Sequence, residues 1–219
     1  MTWRLFEREA ERYESWYETA RGRRASSGEK HLLGRFLGAF PSARSVLDLG
    51  CGTGHFTTWL AQRGLAPIGL DRSPAMLAVL RRSLPQCPVL VADAHSLPLR
   101  DRAVDLALFV TTLEFLEDPR LALSEATRVA RQGVLVLALN RCSVGALSRR
   151  FGPASRGALL PHARDLSPSA LRRLMAQAGG ARLRRLHSGS AVLPRPLPAW
   201  STPLPFGDIV GVAAELRCE

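Results

Sequence analysis

The period of the apolar positions changes twice along this chain. In the first twenty residues Phe6, Ala10, Tyr13, Tyr17 and Ala20 recur at helical spacing with Trp16 beside them, which predicts an amphipathic helix with an aromatic stripe. The segment ARGRRASSGEK (20–30) is expected to break that helix. A second helix should run through Leu32, Leu33, Phe36, Leu37 and Phe40 and stop before Pro41. From Ser45 the period shortens: SVLDLG (45–50), APIGLD (66–71), CPVLVAD (87–93), VDLALFVTT (104–112) and GVLVLALN (133–140) are apolar runs of strand length. Helical patterns alternate with them, including HFTTWLAQR (55–63) and SPAMLAVLRRSL (73–84), where Ser73 is placed as N-cap and Pro74 at the first helical position. Strands apolar on both faces that alternate with helices argue for a parallel sheet covered on both sides.

Beyond Asn140 the alternation loosens. SPSALRRLMAQAGG (167–180) reads as a capped helix closed by glycines, and RLRRLHSGSAVL (182–193) and GDIVGVAAELR (207–217) read as two final strands. The proline-rich stretch 194–206 between them cannot form regular structure. It is tethered at both ends and carries Trp200 and Phe206, which suggests part of an acceptor pocket or its lid. At 219 residues the chain suits one domain, with a helical cap over 1–43, a binding core over 44–140, and C-terminal helices, strands and lid over 141–219.

Composition changes this picture little. A net charge of +11 points toward nucleic acid or an anionic surface, but 29 of the 30 basic residues are arginines scattered from Arg4 to Arg217, so a small-molecule partner is favoured over nucleic acid. Cys51, Cys87, Cys142 and Cys218 lie far apart with no ligand spacing, which argues against a metal site. Charged residues at the N-terminus and the lack of a long apolar run predict a cytoplasmic protein with no membrane span. Nothing in the sequence bears on oligomeric state.

The chemistry concentrates in VLDLGCGTG (46–54). A glycine-rich turn at the end of a strand lets a ligand approach the backbone, and the following helix offers free N–H groups. Dinucleotide enzymes use G-x-G-x-x-G, whereas here the glycines are Gly50, Gly52 and Gly54, and His55 stands where their third would fall. Asp48 would repel a pyrophosphate and suits an ammonium group. Asp71 ends the second strand at the spacing of a ribose-binding carboxylate, and Asp93 with the Ala94 backbone ends the third where an adenine edge would lie. Amine, ribose and adenine together describe S-adenosylmethionine.

In VLDLGCGTG, GLDRSPAML (69–77), ADAHSLPLRDRAVDLALFVTTLEFLEDP (92–119) and LALSEATRVARQGVLVL (121–137) the sequence resembles the class I S-adenosylmethionine-dependent methyltransferases, in particular the small ubiquinone-biosynthesis-like (methyltransferase type 11) group. The resemblance covers about Ser45 to Asn140. It implies an α/β, Rossmann-like sheet of seven mostly parallel strands, the last antiparallel, with helices on both faces. It also implies that Gly50, Cys51, Gly52 and Gly54 cradle the amino-acid part and that Asp48 reaches it. Asp71 would bind the ribose, Arg72 and Met76 would flank the adenine, Asp93 and Ala94 would bind its edge, and Val110 would lie under the sulfonium. The helices ahead of the first strand often close over the cofactor in this group, which would bring Tyr13 or Trp16 against it, with ARGRR as hinge.

Two departures stand out. RQGVLVL (131–137) has Gln132 in place of the usual proline and one glycine in place of two, which changes a turn. The histidine common after the fourth strand is replaced in LEF, Leu113–Glu114–Phe115. Glu114, four residues beyond Val110 near the mouth of the pocket, and His162 are therefore the candidate bases, with His95 a weaker third. The expected activity is in-line methyl transfer to a small-molecule acceptor. A modifier of RNA or protein and a non-catalytic cofactor binder are the alternatives.

Overall fold

The computed structural model describes residues 3–143, 146, 163–164, 166–192 and 201–217. Two helices come first, α1 (Trp3–Glu18) and α2 (Ala20–Leu37). The segment expected to break the first helix is instead the first half of α2. The break falls at Thr19, whose extended backbone and side chain, accepting from the Gly22 N–H, start the new helix. Gly22 permits the tight joint: a Cβ there would sit 2.0 Å from the Trp16 carbonyl oxygen. The hinge assigned to ARGRR is thus a capped helix start.

Then follow β1 (Ser45–Leu49), α3 (His55–Gln62), β2 (Ala66–Asp71), α4 (Pro74–Ser83), β3 (Val89–Val91) and β4 (Val104–Val110). A 3-10 turn (Leu113–Phe115) leads into α5 (Pro119–Val129) and β5 (Ala130–Leu139), and α6 (Pro168–Gly179), β6 (Leu183–Ala191) and β7 (Ile209–Leu216) complete the described chain. The N-caps at Ser73 and Ser167 are made as expected, each hydroxyl accepting a backbone N–H three residues on, with proline following.

The strands form one seven-stranded sheet in the order β3-β2-β1-β4-β5-β7-β6, with β7 antiparallel to both its neighbours. Strand order reverses between β1 and β4, so their carboxyl ends part to leave a crevice there. Side chains alternate along β5: Val134, Val136 and Ala138 pack toward α5 and α6, and Leu135, Leu137 and Leu139 pack toward α2 and α3. α1 packs across α2 and α4, above the carboxyl ends of the strands.

Two strand expectations need correction. β3 is a three-residue edge strand with Val91 59% exposed, since nothing pairs beyond it. The departure at RQGVLVL is no turn, because β5 begins at Ala130 directly after α5. The register shifts between Val104↔Ala130 and Leu106↔Gly133, a bulge that absorbs the extra residue. Gly133 is needed there for packing, as a Cβ would lie 2.4 Å from the Phe40 ring.

Candidate functional site

A cavity of about 1040 Å³ of non-atom space, part of it open to solvent, lies over the carboxyl ends of β1, β2 and β4. Its floor is the β1–α3 loop. Gly50, Gly52 and Gly54 all take positive φ, at 69°, 55° and 89°. Their surroundings differ. A Cβ on Gly50 would sit 2.2 Å from Thr112 and one on Gly54 2.3 Å from Leu80, whereas one on Gly52 meets nothing nearer than Met76 Sδ at 4.0 Å. Ligand approach therefore explains Gly52 alone. Gly50 and Gly54 are required by neighbouring protein, and Gly54 does not line the cavity.

Asp71 organises this loop. Its Oδ2 accepts the Gly52 N–H and its Oδ1 the Ser73 N–H, both at 2.9 Å, so the carboxylate at the end of β2 fixes the loop at the end of β1 and still faces the cavity. Burial raises its pKa in spite of these bonds. Asp48 is buried on β1, and its Oδ2 accepts the Thr57 hydroxyl at 2.6 Å. Burial, with the Asp71 charge adding to it, lifts Asp48 to about 7 against the Thr57 bond. A cation placed above the loop would relieve both carboxylates.

Of the other predicted positions, Cys51, Arg72, Met76, Ala94, Val110 and Tyr13 line the cavity. Asp93 does not. Its Oδ1 takes the backbone and ring N–H groups of His95 at 3.0 and 2.6 Å, and its Oδ2 lies 3.5 Å from Arg72. The carboxylate shapes the β3 loop, and Ala92, Ala94 and His95 present the surface.

Trp16 is 41% exposed and outside the cavity, because it falls on the far side of α1. Trp3, Phe6 and Tyr17 share the inner face with Tyr13. Glu114 is also displaced from its expected place at the mouth. It is 1% exposed, off the cavity wall, and its Oε1 accepts the Leu139 N–H at 2.7 Å, which ties the turn after β4 to the end of β5. His162 and Trp200 lie outside the described residues. Phe206 is 60% exposed and does not line the cavity. The described end of the proline-rich stretch is pinned to α2 through Ser201, which meets His31 and Arg35.

Several features carried no readable signal. Thr111, a β-branched residue at φ 47° on the cavity wall, turns the chain after β4, and Thr112 donates to Gly50 O at 3.2 Å. At the lid, the Tyr17 ring stacks on His55 at 3.7 Å, and His55 Nε2 meets Ser26 Oγ at 2.7 Å. Glu14 accepts the Thr53 hydroxyl at 2.5 Å and faces His55 Nδ1 at 3.9 Å. The histidine that interrupts the dinucleotide pattern thus joins α1 and α2 to the loop.

The family model for a methyltransferase domain matches residues 47–138, the segment that contains this loop and all three carboxylates. Residues 47–138, less than half of the chain, are therefore similar to a methyltransferase domain. Over 92 residues it is 46% identical to an uncharacterized methyltransferase of Mycobacterium tuberculosis H37Rv, covering 42% of this chain and 37% of that one. It is 34% identical over 121 residues to the malonyl-[acyl-carrier protein] O-methyltransferase of Serratia marcescens, 55% of this chain and 46% of the other. The chain therefore spans less than half the length of these curated relatives. A solved SAM-dependent methyltransferase of Thermotoga maritima, titled a possible histamine N-methyltransferase, superposes with a TM-score of 0.80 at 26% identity over 98% of this chain and 99% of that one. The methyltransferase domain and its cofactor class, S-adenosylmethionine, agree with the reading of the loop. Among the described residues no helix is long and apolar enough to cross a membrane.

Proposed function

We propose that this protein transfers the methyl group of S-adenosylmethionine to a small-molecule acceptor, and that residues 1–219 work as one unit in which the N-terminal helices close over the domain. The observation that carries this reading is the pair Asp48 and Asp71 on either side of an open Gly52. A buried carboxyl above the N–H groups of a loop is suited to an ammonium, a carboxylate at the end of β2 to two hydroxyls, and the bare Gly52 leaves room for the chain between them. Arg72, Met76 and Ala94 then flank the adenine, and Val110 lies nearest the reacting centre. Tyr13 takes the covering role considered for Tyr13 or Trp16.

The cofactor supplies an electrophilic methyl group on a sulfonium. The protein's part is positioning: Asp71 holds the loop and the ribose in one arrangement, and the aromatic face of α1 excludes water from the reacting centre. The relatives differ in acceptor, a malonyl group on a carrier protein in one name and histamine in one title, and both support a small acceptor group. Calorimetry with S-adenosylhomocysteine tests the reading: micromolar binding with no measurable binding of NAD is expected, and tight NAD binding overturns it.

A further inference from the structure

α1 carries two stripes of side chains on its inner side. Phe6, Tyr13 and Tyr17 form one, with contacts toward β4 and α3: Phe6 meets Phe115 edge-on at 5.0 Å, and Tyr17 stacks on His55 at 3.7 Å. Trp3, Ala10 and Glu14 form the other, at spacings of seven and four residues. Its contacts lie toward β1 and β2. The Trp3 ring sits 5.7 Å from the guanidinium carbon of Arg72, just past β2, and Glu14 accepts the Thr53 hydroxyl in the β1–α3 loop. Beside this stripe Glu11 pairs with Arg82 of α4 at 2.7 Å. The second stripe therefore lies over the side of the cavity assigned to the cofactor.

Trp3 lines the cavity, and its indole nitrogen is buried with no hydrogen-bond partner. Among the described residues of the cavity wall it is the one side-chain donor buried in that state. A buried N–H left unanswered has given up water and gained nothing in return. The side chains at the end of β3 are committed elsewhere. Asp93 takes both N–H groups of His95 and lies 3.5 Å from Arg72, and the second ring nitrogen of His95 accepts the Asp118 N–H at 3.2 Å. The carboxylate expected at the adenine edge thus holds Arg72, and Arg72 lies against the Trp3 ring.

The geometry points to Trp3 as a binding residue for the nucleoside of the cofactor: its ring covers the adenine, and its indole N–H donates to adenine N3 or N7, the amino edge being assigned to Ala94. This rests on the cofactor reading above. Adenine ring nitrogens carry in-plane lone pairs and no hydrogen, which matches a group that donates and cannot accept, and a flat base stacks readily on an indole. The carboxylate of the amino-acid end is the other strong acceptor that the cofactor offers. That end is placed over the β1–α3 loop, where α1 presents Glu14 and not Trp3.

Calorimetry on the full chain tests this with S-adenosylhomocysteine and with 5′-methylthioadenosine, which keeps the nucleoside and lacks the amino acid. Trp3→Phe keeps a ring and removes the N–H, so it should weaken both ligands by the same factor of about five to ten, the worth of one hydrogen bond. Trp3→Leu removes the ring as well and should weaken both further, to about fiftyfold in all. Binding should quench the tryptophan emission of the wild type, and more than half of the quench should be missing in Trp3→Phe. Unchanged affinity in Trp3→Phe, a loss confined to S-adenosylhomocysteine, or a quench of undiminished size overturns the inference. The wild type alone supplies a further check: of the 3-deaza and 7-deaza analogues of S-adenosylhomocysteine, one should bind about fivefold weaker than the parent, and full affinity for both overturns the inference without need of a variant. Failure of S-adenosylhomocysteine itself to bind the wild type overturns the cofactor reading instead, and this inference with it.

Discussion

The two halves of the cavity are built on different terms. On the β1–β2 side the polar groups are held by hydrogen bonds and the loop by its backbone conformation: Asp71 by two N–H groups, Asp48 by a hydroxyl one turn into α3, and the loop by three left-handed glycines. On the α1–α2 side the wall is made of rings against rings, with Tyr17 stacked on His55 and Phe6 edge-on to Phe115 at 5.0 Å. The first half takes its shape from hydrogen bonds to Asp71, Asp48 and the Gly50 carbonyl. The second owes its shape to two helices packed on each other, with α1 against α4 and α2 against β5, β6 and β7. A shared cofactor demands a fixed cradle, while acceptors vary, and side chains on separate helices are what such variation can alter without disturbing the cradle.

The largest effect should come from breaking the first half at Gly50. Gly50→Ala places a methyl group 2.2 Å from Thr112 at φ 69°, and strain plus overpacking should cost about 3 kcal/mol or more, read as a large fall in melting temperature with loss of S-adenosylhomocysteine binding. Gly52→Ala sharpens the contrast, since it has open space: strain of about 1–2 kcal/mol should lower the melting temperature modestly, while cofactor affinity falls because the methyl group enters the cavity. Asp71→Ala should weaken S-adenosylhomocysteine by more than tenfold, about 2–3 kcal/mol, for the lost bonds to a charged group. Unchanged affinity in calorimetry would remove Asp71 from the site.

A pH series separates the halves without mutation. Asp48 has an ordinary value of 3.8 and about 7 when folded, so between these the folded protein keeps a proton that the unfolded chain has released. Stability of the empty protein should therefore fall as pH rises from about 4 through 7, and Glu29 carries the same sign up to about 8. An ammonium above Asp48 offsets its share, so S-adenosylhomocysteine should raise the melting temperature more at pH 8 than at pH 6. An equal rise at both would show that Asp48 does not sense the ligand.

Smaller effects belong to residues that the structure moves out of the site. Glu114→Gln keeps one oxygen for the Leu139 N–H, so a change within about 1 kcal/mol in stability, with cofactor affinity intact, is expected. Phe206→Ala, at an exposed position, should alter stability and cofactor binding by no more than about 0.5 kcal/mol. A clear loss of turnover in Phe206→Ala would restore the lid assignment to that residue.

The cradle was legible in the chain because its determinants are local. Positive φ selects glycine, a helix start selects Ser73–Pro74, and a buried parallel strand selects an unbroken apolar run, each within a few residues. Hence the positions of Asp48, Asp71 and the loop between them followed from spacing alone. What only the tertiary structure decided is which neighbour each residue meets. Gly50 and Gly52 look alike in sequence, yet Thr112, sixty residues away, occupies the space beside one and not the other. Trp16 and Trp3 differ only in which side of α1 faces the sheet, and that is set by the Thr19 joint and the packing of α1 on α2 and α4. Glu114 and Glu29 show the same thing: one, expected at the mouth of the pocket, is consumed by the end of β5, and the other, in a segment expected to be a break, is buried on the inner face of α2. Short-range conformational preference is written residue by residue, whereas burial and partnership are sums over contacts from distant parts of the chain.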